Sequence, residues 1–117
     1  MVLENDRTAP GTARRRVTEL VGDHPRIDDL VLCVSEVVTN AVNHAGTLTH
    51  LVLDSRDDVV RVEVVDQSPG SLPRRETPTA SSPSGRGVGL VEALADRWGV
   101  EVGGAEKSVW FEFDVAR

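Results

Sequence analysis

The sequence predicts a single α+β domain over residues 1–117, a two-layer sandwich with three helices on one face of a mostly antiparallel sheet. Apolar residues recur at helical spacing in three segments and at every second position in the segments between and after them. The segments follow the order helix, helix, hairpin, long loop, helix, hairpin, which is typical of this class. A chain of 117 residues suits one hydrophobic core.

The composition argues against several classes of protein. Thirteen basic residues against 19 acidic ones give a net charge of −6, which disfavours a direct nucleic-acid binder with a broad basic surface. Cys33 is the single cysteine, so no internal disulfide can form, and a reducing cytoplasm is the expected location. No apolar run approaches the roughly 20 residues of a transmembrane helix, and the N-terminus lacks a signal-peptide pattern. We therefore expect no membrane association.

Two helices are predicted before the first hairpin. The first begins after Thr8, which can cap it, carries Pro10 in its first turn and ends at Gly22. The second runs from about Ile27 to Ala45 and ends at Gly46. Its predicted apolar face consists of Leu30, Val34, Val37, Val38, Ala41 and Ala45.

The period then changes to two. THLVLDS and VVRVEVVD form a predicted hairpin around Asp57 and Asp58, and Asp66 falls by parity on the face of Val60 and Val62 that should pack against the helices. The second hairpin pairs a short strand, Val100 to Val102, with KSVWFEFDVA.

A long loop and a third helix separate the hairpins. Residues 67 to about 86 hold four prolines and five serines, and too little chain follows for a second core, which favours a lid over a linker. The third helix is predicted to open at the glycines of GRGVGL and to continue into Trp98. Its predicted buried stripe consists of Leu90, Ala93, Leu94 and Trp98.

The second helix carries a polar stripe. Glu36, Asn40 and Asn43 are spaced i, i+4, i+7 and share one face. Glu36 can act as a base or order a water, and the amide oxygen of Asn40 is a hard ligand suited to Mg²⁺. A solvated polar face would explain such a pair taken alone. The apolar circumference of the helix, the lid and the glycine-rich helix start favour a nucleotide site.

Two further groups of residues extend this hypothesis. Asp66 ends a strand and needs a donor, which the exocyclic amine of adenine would supply, or else it caps the turn that follows; the residues leave both open. Backbone amides of the glycine-rich helix start can bind phosphate, over Gly85, Arg86, Gly87, Val88, Gly89 and Leu90. Lys107 and Ser108 could touch phosphates or only decorate a turn.

Other chemistries fit the sequence poorly. GRGVGL lacks the third glycine of a dinucleotide fingerprint and follows a loop, and GGAEKS has Glu106 where a Walker A motif needs glycine. The three histidines and Cys33 show no zinc-ligand spacing.

Four segments together resemble a known family in order and spacing: SEVVTNAVNHAG, VEVVDQSPG, GRGVGLVEALADRWGV and KSVWFEF. They are similar to the ATP-binding fold shared by histidine kinases, DNA gyrase and the mismatch-repair protein MutL. Within it, the closest resemblance is to the small single-domain branch of anti-sigma factor serine kinases. The resemblance covers nearly the whole chain, including the APGTARR start.

The resemblance implies ATP and Mg²⁺ as cofactors and assigns roles by position. Glu36 would activate the attacking hydroxyl, Asn40 would coordinate the metal, and Asp66 would hydrogen-bond the adenine amine. His44 would lie near the nucleotide, and the glycine box would close over the phosphates. The family's D-x-G-x-G motif is altered here, because Ser68 replaces the first glycine and Pro69 precedes Gly70.

Three functions follow as hypotheses. The chain would phosphorylate a serine or threonine of a small antagonist protein, with a sigma factor, an anti-anti-sigma factor or both as partners. Alternatively, it would bind nucleotide and switch partners without phosphoryl transfer. In the third hypothesis nucleotide binding is lost and a scaffold remains. Relatives in this branch often pair, so a homodimer is also expected.

Overall fold

The computed structural model describes residues 2–3, 7–45, 49–66, 83–103 and 106–116. The elements, in chain order, are β1 (Val2–Leu3), α1 (Ala9–Val21), α2 (Ile27–Ala45), β2 (Thr49–Arg56), β3 (Val59–Asp66), α3 (Pro83–Leu94), β4 (Arg97–Gly103) and β5 (Glu106–Asp114). The five strands lie in the order β1-β2-β3-β5-β4, and every neighbouring pair is antiparallel. The predicted α+β sandwich is confirmed.

The core lies between the helices and one face of the sheet. Burial alternates along β3, where Val60, Val62 and Val64 are buried and their neighbours are only partly so. Phe111 and Phe113 on β5 are the largest fully buried side chains, and their rings meet edge to face at 6.0 Å. The helices contribute Ala9, Ala13, Val17 and Val21 from α1, Leu30, Cys33, Val34, Val37, Val38 and Ala41 from α2, and Val91 from α3.

The first two helices follow the prediction closely. α1 ends at Gly22, whose φ of 73° suits glycine and whose N–H donates to the carbonyl of Thr18 at 2.8 Å. α2 has the predicted bounds, and Gly46 lies outside the described residues. Thr8 occupies the N-cap position but makes no capping hydrogen bond with its side chain. Its backbone is helical, at φ −82° and ψ −18°, whereas a capping side chain needs an extended backbone.

The first hairpin turns over two residues. Asp57 and Asp58 have φ of 52° and 62°, which places both in the left-handed region. Two such residues in succession characterise the turn that matches the twist of antiparallel strands, and aspartate tolerates this conformation better than most residues. The predicted turn is therefore present, and it sets the register that brings β2 against β3.

The third helix differs from the prediction at both ends. It begins at Pro83, so residues 83–86, predicted as the end of the lid, are helical; residues 67–82 lie outside the described part of the chain. It ends at Leu94, because the N–H of Asp96 already donates to the carbonyl of Glu112 at 3.0 Å and starts a strand. Trp98 therefore belongs to β4, which is longer than the predicted strand.

The buried stripe of α3 also differs. Among the described side chains of α3, Val91 is fully buried, whereas Ala93 is exposed and Leu90 and Leu94 are half-buried. Because α3 ends before Trp98, the face that packs against α2 is not the predicted face, which continued into Trp98. The prediction of Ala93 as a core residue was wrong for this reason.

Candidate functional site

The polar residues singled out in the sequence gather toward one end of the sandwich. β3 ends at Asp66, which lies opposite Lys107 near the start of β5. His50, near the start of β2, lies opposite Val65. Only residues 46–48 separate α2 from β2, so the C-terminal half of α2 must reach this same end. We call this end of the molecule the site end.

The start of α3 lies at the site end as well. The thiol of Cys33 donates to the carbonyl of Leu90 at 3.8 Å, and Nη2 of Arg26 donates to the carbonyl of Leu94 at 3.1 Å. Moving forward along α3 from Leu90 to Leu94 therefore means moving back along α2. The two helices are antiparallel, and the first turn of α3, with Gly85, points toward the site end.

Asp66 and Lys107 form a buried ion pair. Their side chains are 5% and 7% exposed, and Oδ2 of Asp66 lies 3.7 Å from Nζ of Lys107. Lys107 does not decorate a turn, because β5 has already begun at Glu106, and parity places Lys107 on the helix-facing side with Phe111. The separation exceeds the 2.7–2.9 Å of a charge-assisted hydrogen bond. The two groups therefore attract each other without being tightly joined.

The polar stripe of α2 runs from partial shelter to solvent. Glu36 and Asn40 are half-buried, and Asn43 is exposed. Ser35, beside Glu36, accepts a hydrogen bond from Nη1 of Arg14 at 2.9 Å, which joins α1 to α2 at this level. The predicted pair of Glu36 and Asn40 thus lies at the boundary between core and solvent, where a ligand can reach it.

Gly89 is exposed, and its surroundings in the described part of the chain do not require a glycine. A Cβ added there would meet no described atom within 4 Å, and its φ is not positive. Glycine within a helix costs about 1 kcal/mol relative to alanine. Gly99 behaves differently, because a Cβ there would lie 2.6 Å from Nε1 of Trp110. Packing therefore requires glycine at position 99, whereas the described neighbours of position 89 would leave room for a side chain.

Ser108 is separated from the pair. It is buried, but it lies opposite Val65 and Glu101 on the sheet face that points away from the helices. There it lines an open cavity of about 370 Å³, whose lining also includes Glu63, Glu101 and Lys107. By strand parity, the side chains of the adjacent residues Lys107 and Ser108 leave opposite faces of the sheet, and that of Lys107 is on the face of Asp66.

Several predicted site residues cannot be placed. Gly70 lies outside the described residues, and so do the side chains of His44, Arg86 and Val88. Leu90 is half-buried against α2. Among the described residues, no group of three or more histidine, cysteine, aspartate or glutamate side chains could hold a metal ion.

Cys33 is not part of the site. Its thiol is fully buried, and this burial raises its pKa to about 12, with a smaller contribution from Asp29. At neutral pH the thiol is therefore protonated and unreactive. The structure places Cys33 in the core, between α2 and the carbonyl of Leu90 on α3.

A family model for the histidine kinase-like ATPase domain matches residues 3–113. The chain belongs to this family. The fold predicted from the four segments of the sequence is thus the family's fold, and the resemblance to histidine kinases is confirmed. The chain is an ATPase domain of the histidine kinase-like type.

Two solved structures share the fold. The crystal structure of the RsbU and RsbW domains of Rv1364c from Mycobacterium tuberculosis matches 100% of the chain with a TM-score of 0.70 and 22% identity. The histidine kinase domain of the blue-light-activated histidine kinase EL346 from Erythrobacter litoralis matches 92% with a TM-score of 0.57 and 20% identity. The chain spans 32% and 60% of these two proteins. No curated protein sequence matches.

None of the helices in the described part of the chain has both the length and the apolar character needed to cross a bilayer.

Proposed function

We propose that this histidine kinase-like ATPase binds Mg·ATP at the site end and phosphorylates a serine or threonine of a small antagonist protein. The observation that carries the proposal is the buried carboxylate of Asp66 at the same end as Glu36, Asn40 and the start of α3. A carboxylate on the helix-facing side of the sheet offers an acceptor for the adenine amine. The start of a helix offers backbone N–H groups for phosphate.

The residues present fit an adenine nucleotide. Pro83 begins α3, so the N–H groups of Gly85 and Arg86 fall in the first turn, where an α-helix has no internal acceptors for them. Gly89 leaves room beside the helix. Asn40 supplies an amide oxygen of the kind that Mg²⁺ accepts, and Asn43, one turn further, extends the polar surface toward solvent. The proposed nucleotide-binding site also includes His44, Gly70, Gly87, Val88 and Leu90.

Glu36 is the proposed base. When bound, Mg·ATP supplies a phosphoryl group whose transfer depends mainly on positioning and on neutralising charge. Glu36 lies one helical turn before Asn40, so its carboxylate would accept the proton of the substrate hydroxyl beside the site of the metal. Its half-buried position keeps the side chain within reach of a protein substrate.

The proposed partners are a sigma factor and an anti-anti-sigma factor. The resemblance of the sequence to anti-sigma factor kinases supports this, and so does the fold shared with a chain that contains an RsbW domain. We extend the proposal to the cytoplasm as the location and to pairing as a homodimer, both of which accompany this mode of regulation in the family that the sequence resembles.

Calorimetric titration with ATP, with and without Mg²⁺, tests the site. We expect binding that Mg²⁺ tightens in the wild type, and loss of binding in Asp66→Ala. Asp54→Ala is the matched control, because Asp54 lies on β2 with its side chain half-buried and paired with Arg56 at 3.2 Å, away from the site end. Equal binding by Asp66→Ala and Asp54→Ala would remove Asp66 from the site.

The Glu36→Gln variant distinguishes a kinase from a nucleotide-dependent switch that transfers no phosphoryl group. We expect this variant to bind ATP as the wild type does but to release ADP from ATP at least about 100-fold more slowly, the usual contribution of a general base. If the wild type binds ATP and forms no ADP even with candidate antagonist proteins, nucleotide-dependent partner switching without phosphoryl transfer replaces the kinase proposal.

A further inference from the structure

We propose that Lys107 is a base-reading residue, whose ammonium donates a hydrogen bond to N1 of adenine while Asp66 accepts one from the exocyclic amine. The inference rests on the proposed nucleotide site and deepens it. The sequence offered Lys107 only as a phosphate contact or a turn residue. The structure places it on the floor of the sandwich, directly across from the carboxylate that is proposed to hold the base.

Burial and strand pairing fix the position of Lys107. Asp66 and Lys107 are direct partners across β3 and β5, and both side chains are more than nine-tenths buried. Lys107 is also the one lysine among 13 basic residues, and the other 12 are arginines. A lysine ammonium is a compact charge with three donors, so it can share its hydrogens between a carboxylate and a ligand acceptor.

The spacing of the pair suits the edge of adenine. That edge carries an amine donor next to the N1 acceptor, which is the complement of a carboxylate next to an ammonium. The 3.7 Å between Oδ2 and Nζ is longer than a charge-assisted hydrogen bond, so one base edge can engage both groups side by side. The pair therefore reads two adjacent positions of the base.

Guanine in the same orientation would meet the wrong group twice. Its carbonyl oxygen would face the carboxylate of Asp66, and its N1–H would face the ammonium of Lys107. A site built from buried polar groups rejects such a ligand strongly, because its own groups are left without suitable partners. Lys107 would thus add a second criterion for adenine to the one that Asp66 supplies.

The test compares ADP with 1-deaza-ADP, which keeps the amine but replaces N1 by a C–H group. We expect calorimetry to show that the wild type binds 1-deaza-ADP about 10- to 100-fold more weakly than ADP, the usual effect of losing a hydrogen bond to a charged group. In Lys107→Met, ADP should bind more weakly and the two ligands should differ by less than about threefold. Arg56→Met, which removes an exposed cation at the hairpin end of β2, should keep the wild-type ratio.

The outcomes separate this inference from the proposed function. A wild type that binds ADP and 1-deaza-ADP equally overturns the role of Lys107 and leaves the nucleotide site intact. A wild type that binds neither overturns both proposals. The comparison of the two ligands on the wild type needs no variant, so it decides the question even if Lys107→Met does not fold.

A second measurement distinguishes the base from the phosphates. A residue that contacts the base should weaken AMP, ADP and ATP by the same factor when it is replaced. If the penalty of Lys107→Met instead grows from AMP to ATP, Lys107 contacts the phosphates and the base-reading role is wrong.

Discussion

At the site end Asp66 and Lys107 form a buried ion pair, whereas at the opposite end six described charged side chains form a cluster that solvent reaches. The cluster comprises Arg26, Arg61, Asp96, Arg97, Glu112 and Asp114. Arg97 lies 2.6 Å from both Glu112 and Asp114, compared with 3.7 Å in the buried pair. We call these six residues the arginine–carboxylate cluster.

The arginine–carboxylate cluster connects several secondary-structure elements. Arg26, at the start of α2, donates to the carbonyls of Leu94 and Asp114 and lies 4.7 Å from the ring centre of Phe113. One side chain therefore connects α2, the end of α3 and β5. Because these groups keep partial contact with water, their pairing carries only a small desolvation cost. This end of the sandwich is organised for stability.

The balance of desolvation cost and attraction is different for the buried ion pair of Asp66 and Lys107. Removing two charges from water costs several kcal/mol per ion, and their attraction repays this only when the geometry is close. At 3.7 Å the geometry is loose. Such a pair contributes little to folding relative to apolar residues of the same size, which supports the proposed role of the pair in binding nucleotide. Charge thus stabilises one end of this fold, whereas at the other end we propose that it serves recognition.

The largest expected effect comes from a substitution that breaks the buried ion pair of Asp66 and Lys107. Lys107→Met should lower the free energy of unfolding by about 3–5 kcal/mol, because Asp66 would remain buried without its cation. The double variant Asp66→Val/Lys107→Met should recover the wild-type stability or exceed it, since both charges leave the core together. Urea unfolding of the three proteins measures this. If the double variant is as unstable as the single one, the pair stabilises the fold and the contrast between the two ends fails.

A smaller effect concerns acid and the arginine–carboxylate cluster. The pKa of Asp96 is lowered, chiefly by the hydrogen bond from the backbone N–H of Asp114 and further by Arg26, and the pKa of Glu112 is lowered chiefly by its hydrogen bond with Arg97. A carboxyl whose pKa is lower in the folded state stabilises the fold above its unfolded pKa, near 4, and loses that effect as the pH falls through the folded value. Stability should therefore decline below about pH 5.

Asp96→Asn isolates this contribution. We expect the variant to lose about 1 kcal/mol at pH 7, the net value of a typical hydrogen bond, and to show a shallower decline between pH 5 and pH 3. Urea unfolding at several pH values gives both quantities. A variant whose stability falls with acid as steeply as that of the wild type would show that other carboxyls cause the decline. Nucleotide affinity at pH 7 should not change, because Asp96 lies at the far end.

The sequence predicted the order of the elements, because each is signalled by its own period and punctuation. The bounds of α2 and the alternation along β3 are local properties, and both predictions are confirmed. The start of α3 was missed because Pro83 and Ser84 look like loop residues, yet proline suits a first helical turn. Its end was missed because the hydrogen bond that starts β4 depends on Glu112, which is distant in sequence.

The positions of the candidate site residues were predictable in part for the same reason. The spacing of Glu36 and Asn40 and the parity of Asp66 follow from one helix and one strand. The pairing of Asp66 with Lys107 requires the register between β3 and β5, which no local pattern specifies. The available signals were a carboxylate on the core face of one strand and the single lysine on another. Buried opposite charges on neighbouring strands are expected to pair, but only the register identifies the partners.

The smallest expected effect comes from a substitution that should raise stability and weaken nucleotide binding at the same residue. Gly89→Ala should raise the free energy of unfolding by about 0.5–1 kcal/mol, since alanine favours the helix and its methyl group would meet none of the described atoms. If nucleotide lies along α3, the same methyl group should weaken ATP binding several-fold. Gly11→Ala is the matched control, because Gly11 lies in α1 and its Cβ would make only an ordinary contact, 3.6 Å from Arg14. It should stabilise the fold and leave ATP affinity unchanged.

Urea unfolding and calorimetry on these two variants separate the helix effect from the ligand effect. A Gly89→Ala protein that gains stability and binds ATP as tightly as Gly11→Ala would show that the open side of α3 faces only solvent. The glycine would then lie outside the site, and nucleotide recognition would depend on the first turn of α3 and on the sheet floor. A gain in stability with a loss of affinity would show that this turn of the helix trades stability for space at the site end, which extends the contrast between the two ends of the sandwich to a single side chain.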